Sequence, residues 1–463
     1  MGGKAAILLV LGFSTIFLVL GNNFNNLANN AVGNYDDYYI QSVAHNIAIS
    51  GANMAASLLF FDKTWEEGFE DVDFGGGTLN VIVSNNPYGA SASGKTTICH
   101  IPPGNPSNSH TIRVANAAVP AHLAHGDYLG ECGSDVVDND MVTIVAEGTF
   151  AGKTEVVTIE FRPSNFSKFG NFYSTVSAYP ATGDTFNGPF HTNGKLTTYG
   201  TPVFWGKVTT QSGLKKMGTP KDPKFYGGYE SGVDIPLEFD TSGYAAKADV
   251  KFYDTTASNK ITNLDLTFNN DGTVTWKQQI DSGPWSPDAT VPLAAIAPNG
   301  MIYCEKGNIF VKGTLDGKIT IVATKSGKTG AGNIYQTGDL KYKDDPATDP
   351  NSTDLLGMVA EENIRIQYND DTKHKDIITQ ASMFALNGSI GPDDNLVDND
   401  GVLKSWKILG GLIAKTTRVT ADYSGSNPVN GYRLVHSFDE RFYTQVPPHF
   451  PHTKNFEVVA WHE

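Results

Sequence analysis

Residues 5–21, AAILLVLGFSTIFLVLG, are apolar and uncharged, and Lys4 is the only lysine or arginine before Lys63. No proline occurs before Pro87. No A-x-A site closes the run, which passes straight into NNFNNLANN. It therefore reads as a retained segment rather than a cleaved secretory signal. Phe24, Leu27, Ala31, Tyr38, Ile40, Val43, Ile47, Ala52, Ala55 and Leu58 then recur at helical spacing. One helix over about residues 4–60, roughly 85 Å long, is expected. Gly21 and Gly33, with the asparagines between them, are its weak points.

A monomer cannot cover a helix end that is apolar on all sides; lipid or further copies must do so. Leu8, Leu11, Phe13, Ile16, Phe17 and Leu20 are expected to pack against neighbouring copies as the core of a helical homopolymer. The second half of the helix is expected to pack on its own head domain. A simple membrane tether is the competing reading, with the run at the short end of what spans a bilayer. The apolar run, the single basic residue before it and SVAHNIAISGANMAASLLFF at residues 42–61 resemble the type IV pilin superfamily, and more closely its PilX-like members. The resemblance implies an extracellular filament or cell-surface location on a bacterium, with residence in the inner membrane before assembly. Ala5 stands where such pilins carry a glutamate that neutralises a neighbour's N-terminal amine.

The formal net charge is −15, which argues against nucleic acid and anionic headgroups as partners. GASASGKT, Gly89 to Thr96, matches the phosphate-loop pattern G-x-x-x-x-G-K-[ST]. A phosphate loop needs a helix directly after it. The sequence continues TICHIPPGNPSNSH, and its prolines forbid that helix. No nucleotide site is expected, and Gly89 to Gly94 reads as a linker into an insert.

That insert, residues 96–132, holds Cys99 and Cys132 and four histidines. It resembles a C-H-I-P-P-G-N-P module of secreted bacterial surface proteins, for which no function is established. In one reading Cys99 and Cys132 form a disulfide that contributes about 3–4 kcal/mol. In the other, His100, His110, His122 and His125 gather around Zn²⁺ or Cu²⁺, with Asp127 orienting a ligand. The two are compatible.

The expected fold class is α+β and mostly β: a long N-terminal helix, a β-sheet head, and a parallel β-helix or solenoid-like region. The expected domains are the filament-core helix 1–60, a pilin-like sheet region 61–163 carrying the insert 96–132, a solenoid-like region 164–345 with inserted hairpins near 230–298, and solenoid turns with a cap over 346–463. The hairpin VTIVAEGTF/EVVTIEF turns at Ala151-Gly152, and LDLTFNN/GTVTWKQQI turns at NNDG. GPFHTNG, VKGTLDGKITI, LLGMVAEENI, SFDERF and PPHFP resemble an uncharacterised domain found behind PilX-like N-termini, covering about residues 164–463. The whole is read as a structural filament subunit that displays a β-rich surface for adhesion. A minor pilin or tethered surface adhesin and a secreted polysaccharide-active β-helix enzyme are the alternatives. For the enzyme, the candidate residues are Asp439, Glu440, Arg441 and His191, each with an ordinary role in a turn, so no catalytic site is assigned. Asp393 to Gly401 offers oxygen ligands to Ca²⁺ but misses the EF-hand spacing and reads as a solvated acidic loop. Asn165, Asn351 and Asn387 lie in N-x-[ST] sequons.

Overall fold

The computed structural model describes residues 2–63, 65–84, 95–100, 102, 110–115, 128–129, 142–238, 244–245, 248–255, 260–398, 401–424 and 427–463. The fold is mostly β with one long N-terminal helix, and the chain divides into two compact units. One comprises Met1–Pro163 and Asn455–Glu463, the other Ser164–Lys454.

The first unit begins with α1, Gly2–Phe61, an unbroken 60-residue helix about 90 Å long. Neither Gly21 nor Gly33 interrupts it. Its last third is amphipathic in a particular way. Ala44, Ile47, Ala48, Ala52, Ala55 and Leu59 are buried, while their flanks are exposed or half-buried. The small residues let the helix lie close to an antiparallel sheet of β1 (Phe69–Phe74), β2 (Gly77–Ser84), β6 (Val142–Phe150), β7 (Lys153–Asn165) and the closing strand His452–His462, in the order β1-β2-β6-β7-closing strand. Alternate residues Leu79, Val81, Val142, Ile144, Ala146, Val157 and Ile159 face the helix. The β6–β7 turn has positive φ at both Ala151 (47°) and Gly152 (82°), as a type I′ hairpin requires. Lys153 Nζ reaches Asp37 at 2.9 Å, and Tyr39 meets Phe150 edge to face. Between β2 and β6 lies a small antiparallel sheet of β3 (Lys95–His100), β4 (His110–Ala115) and β5 (Tyr128–Leu129), with β3 central.

The second unit is a stack of parallel strands wound as a solenoid. Along one sheet the rungs run Lys251–Phe252, Met301–Cys304, Lys318–Ala323, Leu355–Ala360, Ile377–Ala385, Leu403–Thr416, Asn171–Thr175, Phe190–Thr192, Val208–Thr210 and Tyr229–Ser231. The chain therefore enters the stack in the middle and winds out to Ser231. The next rung in sequence, Lys251–Phe252, lies at the far end, so the chain crosses over after Ser231 and winds back until Leu412 pairs with Asn171. Inward columns are built from Ile302, Ile321, Met358, Met383 and Leu412, and from Cys304, Ala323, Ala360, Ala385 and Ala414. The outward column, Tyr303, Val322, Val359, Phe384, Ile413 and Phe172, is buried as well, beneath Ile235, Tyr244 and Phe450. Burial on both faces explains near-continuous apolar strands such as LLGMVA, whose six residues are all buried. Burial also pushes the Cys304 thiol well above the usual range, so it is an inert core residue.

Two further ladders order the coils. Phe186, Phe204 and Phe225 stack with centroids 4.8 and 5.1 Å apart. Asn263, Asn308, Asn333 and Asn363 form a chain of side-chain amides. Asn333 Nδ2 donates to Asn308 Oδ1 at 3.1 Å, and Asn363 Nδ2 to Asn333 Oδ1 at 3.1 Å. Asn308 Nδ2 donates to Asn263 Oδ1 at 3.3 Å. Each amide satisfies polar groups that a tight buried corner would otherwise strand.

Where the coil that opens this unit meets the one that closes it, His436 is buried. Its Nε2–H donates to the Gly410 carbonyl at 3.0 Å, and its Nδ1 accepts from Asn171 Nδ2 at 3.3 Å. Burial holds its pKa down to about 4, against the opposing pull of the Gly410 bond. A proton on Nδ1 would face the Asn171 amide, itself a donor. Because the folded value lies below the unfolded one, His436 favours folding fully above about pH 6.5, and this contribution is lost as pH falls towards 4. The difference amounts to about 3 kcal/mol. The urea midpoint of the wild type, measured relative to His436→Gln, is expected to fall over that window. A difference independent of pH would show that His436 is not sealed.

Candidate functional site

Among the described residues, the most extensive exposed apolar surface is the first two-thirds of α1. An 18-residue window of this helix has a mean hydropathy of 2.2, and none of it is buried. Leu8, Leu11, Phe13, Ile16, Phe17 and Leu20 are all exposed, from 45% for Leu20 to 71% for Leu8. Exposure continues past the apolar run through Phe24, Leu27, Val32, Tyr35, Tyr38 and Tyr39.

The helix sorts these side chains by face. Val10, Phe13, Phe17, Leu20, Phe24, Leu27, Ala31, Asn34 and Tyr38 follow one another at alternating steps of three and four. That spacing is the a/d seam of helices that interlock side by side. Ile16 flanks this seam, Leu11 lies further round and Leu8 is on the opposite face, so the first five turns are apolar on all sides. Sequence reading placed Leu8, Leu11, Phe13, Ile16, Phe17 and Leu20 all in the contact, of which Phe13, Phe17 and Leu20 fall on this seam. It did not extend the seam through the asparagine-rich segment, although the 3-4 spacing was visible there.

The segment 22–39 has little intrinsic reason to be helical. Its seven asparagines and Gly33, with Gly21 just before, cost roughly 6 kcal/mol relative to alanine. No apolar face of that segment is buried within the chain. Isolated helices of such composition are marginal in water, so an external surface that covers the seam would be its stabiliser.

The other sequence-derived sites fall as follows. β3 and β4 bring the backbones of His100 and His110 directly opposite each other. His122, His125, Asp127 and Cys132 lie outside the described residues, as do the side chains of Cys99 and His110. Among the described residues no group of three or more metal-binding side chains converges. Gly89 to Gly94 is likewise outside, and from Lys95 the chain runs as the strand β3, with no helix start there. His191 is buried and stacks on Phe172 at 4.8 Å. It donates from Nε2 to Asn193 Oδ1 at 2.8 Å. Asn193 in turn clasps Ile235 of the crossing segment through both of that residue's backbone polar groups, at 2.7 and 3.2 Å. His191 is thus a structural support. Buried Asp439 pairs with half-buried Arg441 and caps the short helix that follows, and Glu440 is exposed beside them. The stretch Asp393 to Gly401 is a correction: it is not a solvated loop, because Asp394–Asp398 form a short helix that buries Leu396 and Val397. Asp393 accepts from the Tyr368 amide and Asp394 pairs with Arg418 at 2.5 Å, and residues 399–400 are outside the description. Asn165 is a correction: it is fully buried and accepts from the Ser167 hydroxyl, so the folded protein does not present it to a glycan. Asn351 and Asn387 are exposed.

Comparison with known proteins gives little. No family model matches the chain, and no curated protein matches it. Among solved structures, the competence-associated pilin ComZ from Thermus thermophilus aligns over 92% of this chain and 97% of its own, at 12% identity and a TM-score of 0.31. A likeness of that degree establishes neither fold nor function.

Proposed function

We propose that the chain is a structural subunit of an extracellular, pilus-like filament on a bacterial surface, with α1 as its self-associating core. The observation that carries this reading is the uncovered seam from Val10 to Tyr38. Lipid suits residues 5–21, whose length is about 26 Å along the helix. It does not suit the next 18 residues, where apolar seam positions alternate with asparagine. Other copies of α1 meet both needs, since apolar knobs interlock and side-chain amides hydrogen-bond across helices. The membrane is then the store from which subunits are drawn. The β-rich remainder forms the filament's outer surface and serves adhesion or surface contact, and catalysis has no part in this reading.

The test is electron microscopy of filaments sheared from cells, with this chain identified in the same fraction by mass spectrometry. Filaments made mostly of this chain are expected. Phe17→Glu with Phe24→Glu is expected to reduce them more than about tenfold, since two charges would be buried without partners. Retention of the chain in the envelope, with no filament containing it, would instead support a tethered adhesin, for which only the apolar run is needed.

A further inference from the structure

The two ends of the solenoid are built differently. At one end, the hairpin Thr262–Phe268/Thr273–Ile280 and the strand Ala289–Pro292 extend the sheet, and Trp276, Val291 and Leu293 pack over the interior cluster. At the other end, the last coil comprises Leu214–Met217, Lys224–Phe225 and Tyr229–Ser231. Each of these strands pairs on one side only among the described residues. Leu214, Phe225 and Tyr229 are only half-buried there. Stacked Trp205 and Tyr226, with centroids 4.6 Å apart, are exposed beside them. The open coil thus leaves backbone donors and acceptors and apolar rings to solvent, which solenoids ordinarily cap.

Charge separates the ends as well. In a chain of net charge −15 the open coil is basic: Lys215, Lys216, Lys221 and Lys224 stand against Asp222 and Glu230. Asp222 is taken by Lys224 at 2.5 Å, and Glu230 by Lys207 at 2.7 Å. Lys215, Lys216 and Lys221 are exposed and make no ion pair among the described residues. The hairpin end is acidic. Exposed Asp271 and Asp288 flank the two ends of the free edge Ala289–Pro292, with exposed Asp281 nearby. Of the three, only Asp288 makes an ion pair among the described residues, with Lys277 at 3.6 Å.

We propose that the open, lysine-bearing end of one solenoid docks on the acidic hairpin edge of a second copy of this chain, joining heads end to end. Strand edges supply the backbone bonds and the opposed charges set orientation. Because one end is basic and the other acidic, the contact is head-to-tail and repeats from copy to copy. It rests on the second unit alone and is independent of α1.

Heavy-nitrogen-labelled and unlabelled full-length chains, mixed in detergent and joined by a zero-length carbodiimide, provide the test. Mixed-isotope peptides linking Lys215, Lys216 or Lys221 to Asp271, Asp281 or Asp288 are expected. They should fall about tenfold at high salt; Lys215→Glu/Lys216→Glu/Lys221→Glu, which lacks the reacting amines, is expected to form none and serves as the charge-reversed half of a swap. That variant mixed with Asp271→Lys/Asp281→Lys/Asp288→Lys should restore links between the same segments. Absence of these links overturns the proposal, whether or not copies are joined through α1. So does stronger association of Lys215→Gln/Lys216→Gln/Lys221→Gln, which would mean that the lysines keep the edge unpaired.

Discussion

Arg441→Leu is expected to destabilise the second unit by about 3–5 kcal/mol, because it leaves a carboxylate in a dry site without its partner. Asp439 is 2% exposed. Its Oδ2 lies 2.7 Å from Arg441 Nη2, and its Oδ1 lies 3.0 Å from Nε. Oδ1 also accepts from the Arg441 amide at 3.1 Å, capping the short helix Glu440–Tyr443. The other arm of the guanidinium donates to the Ser352 carbonyl at 2.9 Å, and its plane sits 5.2 Å from the Tyr342 ring. One side chain thereby pins the turn, the loop at Ser352 and a core tyrosine. The double change Asp439→Asn/Arg441→Leu is expected to recover much of the loss, since a neutral amide needs no counter-charge. Urea titration of the three proteins measures this. A single-variant loss below about 1 kcal/mol would show that water already reaches Asp439.

Gly148→Val is expected to cost the first unit about 3 kcal/mol. A Cβ at Gly148 would lie 2.2 Å from the Ala44 carbonyl oxygen and 2.5 Å from the Ala48 nitrogen. Both are helix backbone atoms and cannot rotate aside. The helix must lift from β6, which loosens buried Ala44, Ile47 and Ala48 together. Gly152→Ala serves as the comparison. It has nothing within 4 Å and suffers only its positive φ, a cost of about 1 kcal/mol. Thermal unfolding, together with amide exchange in β6 and residues 44–59, separates the two. Equal shifts for both variants would mean that the helix does not approach the sheet as closely as described.

The helix and the hairpins were legible because their signals are local. The absence of proline before Pro87 and the helical spacing from Phe24 onward mark α1, and Ala151-Gly152 and NNDG mark turns that their own dihedral demands explain. The solenoid's texture was legible but its coils were not. Stacked residues such as Ile302, Ile321, Met358, Met383 and Leu412 are unevenly spaced, because the loops between rungs differ in length. The asparagines of the ladder are likewise uneven in sequence, though regular in space. SFDERF was read as a charged turn. The turn is there, but nothing local signals that Asp439 and Arg441 would be enclosed. The seam's apolar start was plain from composition. The open basic end was not, because which coil comes last depends on a crossover that no periodicity encodes.

That crossover has a consequence for how the protein is made. Asn171–Thr175 comes first among the solenoid's rungs, yet one of its two neighbours is Leu412–Thr416, and Thr175 bonds to a carbonyl 240 residues further on. An ordinary repeat protein can settle coil by coil as it leaves the ribosome or an export channel. This one holds its founding strand half-dressed until nearly the whole domain has emerged, so closure is late and concerted, and slow for its size. A product that stops short displays an apolar strand edge that proteases and chaperones recognise. The topology therefore serves as a completeness check: only a finished chain can hide its own beginning.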